Sequence, residues 1–213
     1  TIFAALESPH EPGVLWAGSD DGLIHISRDG GENWEKLLYI NESVGVVDLS
    51  MNPVNPRVLY ATAWNGERKP WTFESGGEES GLWRSKDGGD SWEKLTTGLP
   101  GITGRIGLAL SPVQPNRVYA LVEAEGDLRG LYRSEDRGSS FRHINDDRNM
   151  MARPWYYTHV DAHPTEPDVI FINNEGFFRS DDAGETLVPI STPHGDNHDM
   201  WINPENPDIW IQT

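Results

Sequence analysis

At 213 residues, the chain sets 17 Lys plus Arg against 34 Asp plus Glu, a net charge of −17 that makes nucleic-acid phosphates and anionic membrane surfaces poor partners. It has no run of 18 apolar residues, so this segment offers no membrane-inserting helix, and no Cys, so disulfide and thiol chemistry are excluded. Nine Trp leave aromatic contact as an available mode of recognition.

The chain opens on TIFAAL, which reads as a strand, and turns at Pro9-x-x-Pro12 into a second strand. GLIHIS follows, then SRDGGENW, then WEKLL. Asp and Gly between two β-prone runs signal a hairpin. Ser27, Asp29, Gly31 and Trp34 are assigned to that turn. The carboxylate can accept backbone N–H bonds, Gly supplies a conformation closed to other residues, and the aromatic can pin the turn to the sheet. Residues 1–40 are therefore expected to form one four-stranded repeat.

The unit recurs over residues 41–97, with Pro53-x-x-Pro56, RVLYATAW, GLWRS and a second turn carrying Ser85, Asp87, Gly89 and Trp92. Residues 65–80, NGERKPWTFESGGEES, interrupt it as a polar, Gly-rich insertion expected to be an extended hairpin or loop. Residues 98–145 repeat the pattern with Pro112-x-x-Pro115, RVYALVEA, GLYRS and a turn of Ser134, Asp136, Gly138 and Phe141. Residues 146–191 do so again with Pro164-x-x-Pro167, DVIFINN, GFFRS and a turn of Ser180, Asp182, Gly184 and Leu187. Residues 192–213 hold a fifth proline pair, Pro204-x-x-Pro207, and begin another repeat that stops inside DIWIQT.

Pro-x-x-Pro alone would suggest a polyproline ligand. Here its regular place between strand-like runs makes it a tight turn. The four Ser-x-Asp-x-Gly turns are spaced 58, 49 and 46 residues apart. A catalytic acid is needed once or twice, not in every repeat, so these Asp residues are expected to be structural. Four antiparallel strands per repeat predict an all-β protein, a β-propeller of four blades plus the start of a fifth. Both ends fall inside the repeat pattern, so a larger ring of six to eight blades is expected, with further blades of the same chain as its neighbours.

These turns resemble the Asp-box, or BNR, repeat of sialidases, xyloglucanase-type glycosidases and sortilin-type receptors. The resemblance covers nearly the whole chain and implies a propeller whose boxes lie between the outer two strands of each blade, away from the active site. The combination of RPWYY, the following blade and HGDNHDMWINPENP resembles large bacterial BNR-repeat proteins labelled glycosyl hydrolase or sortilin-like. It implies a secreted, periplasmic or cell-surface location.

Function is expected where the repeats differ. Counting back from each turn proline, Leu49/Met51, Leu108/Leu110, Val160/Ala162 and Met200/Ile202 share one strand face. The other face carries Asp48, Gly107, His159 and Asp199, then Ser50, Ala109, Asp161 and Trp201. Asp161, Asp199 and Asp48 are the candidate catalytic acids, since glycoside hydrolysis needs a carboxylate pair. His159, Asp161 and His163 alternate along one strand and could hold a divalent metal such as zinc, manganese or iron. His163 instead stands where Asn52, Ser111 and Asn203 precede other turns, so it equally reads as a turn cap.

The long segment from Asp146 to Asp161 offers Arg153 and Trp155–Tyr156, and the loop after the fourth box offers His194, Asp196 and His198, as ligand-binding residues. A sialidase is disfavoured: the nearest match to an Arg-Ile-Pro start is Arg105-Ile106-Gly107. The expected function is to act on or bind glycan; the alternative is a non-catalytic, sortilin-like platform for peptide or protein.

Overall fold

The computed structural model describes residues 1–213. It is built almost wholly of β-strands and divides into two compact units, 1–96 with 101–106, and 97–100 with 107–213.

In the first unit, β1 (Ile2–Glu7), β2 (Leu15–Ser19), β3 (Leu23–Ser27) and β4 (Glu35–Tyr39) form an antiparallel sheet in chain order. A second sheet takes β5 (Gly45–Met51), β6 (Leu59–Trp64), β9 (Gly81–Ser85) and β10 (Glu93–Leu95). Between β6 and β9 the insertion forms a separate hairpin, β7 (Gly66–Lys69) and β8 (Thr72–Ser75), with Trp71 at its tip. Alternation along β3 and β6 sends Ile24, Ile26, Leu59 and Ala61 into one core with Trp16 and Val46. Gly18 permits the close approach of these sheets: a Cβ there would lie 2.6 Å from Val46 Cγ1.

The second unit repeats the plan with β11 (Ile106–Leu110), β12 (Val118–Val122), β13 (Gly130–Ser134) and β14 (Arg142–Asn145). Then come β15 (His159–Ala162), β16 (Ile170–Asn173), β17 (Phe177–Ser180) and β18 (Val188–Ile190). A two-stranded sheet, β19 (Met200–Ile202) with β20 (Trp210–Gln212), follows. Tyr119, Leu121, Leu131, Met150, Ile170 and Ile172 belong to its core. The four-stranded antiparallel sheets are propeller blades.

All four boxes sit between the third and fourth strands of their sheets and share one hydrogen-bond pattern. In the first, Ser27 Oγ accepts the Gly31 N–H at 2.8 Å and donates to Asp29 Oδ1 at 2.8 Å, which also accepts the Asn33 N–H at 2.9 Å. Ser85–Asp87–Gly89, Ser134–Asp136–Gly138 and Ser180–Asp182–Gly184 repeat it. Gly31 has φ 98° and Gly184 φ 96°, a region that favours glycine. Trp34 and Trp92 donate their indole N–H back to the carbonyls of Gly31 and Gly89, whereas Phe141 is buried.

The proline turns are capped just as regularly. Ser8, Asn52, Ser111 and Asn203 accept turn N–H groups through side-chain oxygens. His163 does the same through Nδ1, which accepts from Thr165 and Glu166 at 3.3 and 3.1 Å. The proposed metal trio of His159, Asp161 and His163 is corrected on this point. His163 is buried as a cap with its Nδ1 lone pair occupied, and no group of three His, Asp or Glu side chains is arranged to hold a metal ion.

Candidate functional site

The connection from β14 to β15 is held at both ends. Asn145 Oδ1 accepts the Asp147 N–H, and Asp147 Oδ1 accepts the Asn149 N–H at 2.9 Å, capping the helical turn Arg148–Met151. Met150 and Met151 anchor that turn in the core. The Arg153 carbonyl then accepts the N–H groups of both Tyr156 and Tyr157 at 2.8 Å, and the Thr158 hydroxyl donates to the Pro154 carbonyl. This tight turn sends Tyr157 fully inward and leaves Tyr156 45% exposed.

The loop before β19 comes to the same place. The His198 ring lies 5.1 Å from Tyr156, edge to face, and 4.9 Å from Tyr157. Trp155 stands 5.7 Å from Tyr156. The Tyr157 hydroxyl donates to the Asp196 carboxylate, fixing a residue whose backbone is in the left-handed region at φ 66°. Trp155, Tyr156, His198 and Asp196 thus form one surface cluster, with Tyr157 beneath.

Two buried asparagines fasten the cluster from below. Asn174, at the end of the β16–β17 hairpin, donates to the Met150 carbonyl at 2.9 Å and accepts from Ala152 and Glu175. Asn197 donates to the carbonyls of Asn174 and Glu175 and accepts from Gln212. Three chain segments are thereby cross-tied by direct hydrogen bonds. Asn174 carried no distinguishing signal, because Asn-Asn-Glu-Gly reads as an ordinary turn.

The other candidates are placed as follows. Asp161, half-buried on β15, accepts from Asn173 Nδ2 at 3.1 Å, and Asn173 Oδ1 is buried without a partner. His159 pairs in register with the same asparagine. Asp199 is exposed and accepts the Met200 N–H at 2.8 Å. Arg153 is exposed on the aromatic turn. His194 folds onto its own loop, its Nδ1 2.7 Å from the Gly195 carbonyl, and does not join the cluster. Asp48 belongs to the first unit, on β5 opposite Thr62, where the register slips. Gly107 differs from its counterparts for a packing reason: a Cβ there would lie 1.8 Å from the Thr158 carbonyl oxygen. No helix is long and apolar enough to cross a membrane.

Comparison with known proteins adds the following. The family model described as "Sortilin, neurotensin receptor 3" matches residues 80–200, and a BNR/Asp-box repeat model matches residues 25–36. A xyloglucanase from Paenibacillus sp. is 28% identical across 206 aligned positions, covering 80% of this chain and 20% of that relative. The solved structure of an ancestral GH74 enzyme superposes with a TM-score of 0.70 at 18% identity, over 96% of this chain and 26% of the other. The GH74 enzyme of Niastella koreensis gives 0.72 at 16% identity, over 96% and 32%. The chain therefore spans about a fifth to a third of the length of these relatives. At such identities the structural likeness speaks for the propeller fold.

Proposed function

The chain belongs to the Sortilin-Vps10 family, and on that footing we propose that its second unit is a glycan-binding propeller segment, with the Trp155–Tyr156–His198 cluster as its platform. The observation that carries this reading is an exposed Tyr156 ring held edge-on to His198, beside a carboxylate fixed by the Tyr157 hydroxyl. Sugar rings present C–H faces to aromatic faces and hydroxyl donors to carboxylates, and this surface offers both. The likeness to a xyloglucanase favours a β-glucan such as xyloglucan over other glycans. Export to the cell surface or periplasm accords with such a ligand.

Asp161 and Asp199 are the acids we assign to hydrolysis, with Asp48 a further candidate from the first unit. Titration with a panel of neutral oligosaccharides tests binding. Tyr156→Ala should weaken the tightest ligand at least tenfold while leaving the thermal midpoint in place; equal affinity would remove the platform. Loss of turnover in full-length Asp161→Asn and Asp199→Asn proteins would separate hydrolysis from binding alone. A second reading, peptide or protein capture, is favoured by one feature: the exposed Arg153 on the same turn is suited to a carboxylate.

A further inference from the structure

A different site lies in the first unit, and its meaning comes from comparing equivalent positions in the two units. The hydrogen bond from each box to the preceding proline turn fixes the register: Gly30, Gly88, Arg137 and Ala183 donate to the carbonyls of Gly13, Arg57, Asn116 and Asp168. Arg57 is therefore the counterpart of Asp168, and Val14 that of Arg117. Arg28 and Glu135 each follow a box serine, and Trp16 matches Tyr119 in the strand register.

In the second unit the blades of β11–β14 and β15–β18 are joined by a buried cation. Arg117 bonds both carboxylate oxygens of Glu135 at 3.0 Å, Asp168 at 2.6 Å, the Pro167 carbonyl at 2.9 Å and the Tyr119 hydroxyl at 3.4 Å. The desolvated guanidinium is neutralised by two acids, one from each blade.

The first unit inverts this arrangement. Val14 is too short to fill the slot, and a cavity of about 280 Å³ remains. The two positions that supply acids in the second unit are now Arg28 and Arg57, both lining the cavity. Both side chains are exposed at the cavity mouth, and neither guanidinium makes an ion pair, in a chain of net charge −17. Trp16 forms a wall, 4% exposed, and its indole N–H has no acceptor. Glu11, Asp87 and Asp90 also line the cavity. The Asp87 carboxylate is engaged by Ser85 and Ser91, while Glu11 and Asp90 are exposed.

We propose that this interblade cavity binds a sugar acid, a hexuronate or uronate-terminated glycan, with its carboxylate between Arg28 and Arg57. The ligand's negative group takes the place that the guanidinium holds in the second unit, with Arg28 and Arg57 standing where Glu135 and Asp168 stand there. Its hydroxyls donate to Glu11 and Asp90, which explains why acids share the cavity with two unpaired arginines. The volume equals that of roughly nine waters, room for one sugar ring. The site is independent of the Tyr156 platform and differs from it in ligand charge.

The test is a titration of the whole chain with glucuronate and galacturonate, read by calorimetry and by the Trp16 indole N–H resonance. Glucose, acetate and inorganic phosphate serve as comparison ligands. Saturable uronate binding is expected, at least tenfold tighter than acetate or phosphate, with no response to glucose. Arg28→Gln and Arg57→Gln should each weaken it tenfold or more without lowering the thermal midpoint. The triple variant Val14→Arg, Arg28→Glu, Arg57→Asp rebuilds the second unit's clasp and should abolish it. Acetate or phosphate binding as tight as uronate, or uronate affinity unchanged in both Gln variants, would overturn the proposal.

Discussion

Asn174 makes four side-chain hydrogen bonds to backbone groups from three points of the chain, and none of them is replaceable by solvent at a fully buried position. Asn174→Ala should lower unfolding free energy by about 1–3 kcal/mol, the range for stranding buried polar groups, checked by urea denaturation. The box aspartates act differently, because they are exposed. Hydrogen bonds from the Asn33 backbone and side chain and from Ser27 hold Asp29 at about 2; those of Ser91 and Ser85 do the same for Asp87. At Asp136 burial pushes upward, but Ser140 and Ser134 outweigh it and it too sits at about 2. A carboxylate depressed on folding stabilises fully above its unfolded value of 3.8, and this is lost as pH falls through about 2. The gap in thermal midpoint between the parent and Asp87→Asn proteins should therefore be constant above pH about 4 and close between about 4 and 2. The turn role of His163 was readable from its register with Asn52 and Ser111. The clamp formed by Asn174 and Asn197 was not, because it joins residues that only the folded chain brings together.

At the scale of elements, the order of strands and turns follows from local chemistry: Ser-x-Asp-x-Gly closes every outer hairpin, and a Ser, Asn or His caps every proline turn. These signals lie within eight residues of sequence and can be read there. Contacts between neighbouring blades cannot, and Gly107 shows why. On the strand it reads as an empty site on a functional face, yet it is glycine because the carbonyl of Thr158 presses against it. Gly107→Ala should cost about 1–3 kcal/mol, as overpacked sites do. It should also weaken ligand binding at Tyr156, since Thr158 directly follows the aromatic turn. A melting curve and an oligosaccharide titration on the same variant check both. The insertion forms its own hairpin and leaves the register of β6 with β9 intact, which is why it does not disturb the repeat.

For the molecule as a whole, a net charge of −17 sets a self-repulsion that no single ion pair relieves. Raising salt from about 0.01 to 0.15 M shortens the screening length from about 30 to 8 Å, so the thermal midpoint should rise over that interval. A fall would show that ion pairs such as those of Arg117 with Glu135 and Asp168 outweigh the net repulsion. The repeat made the propeller legible, and the residues of the proposed platform were named from the sequence; what the fold adds is that the RPWYY turn and the loop before β19 meet. Chemical-shift mapping of the isotope-labelled chain with a xyloglucan oligosaccharide tests that meeting point most directly. Saturable shifts centred on Trp155, Tyr156, Asp196 and His198 are predicted. Shifts confined to other residues, or none at saturating ligand for any neutral glycan tried, would contradict the assignment.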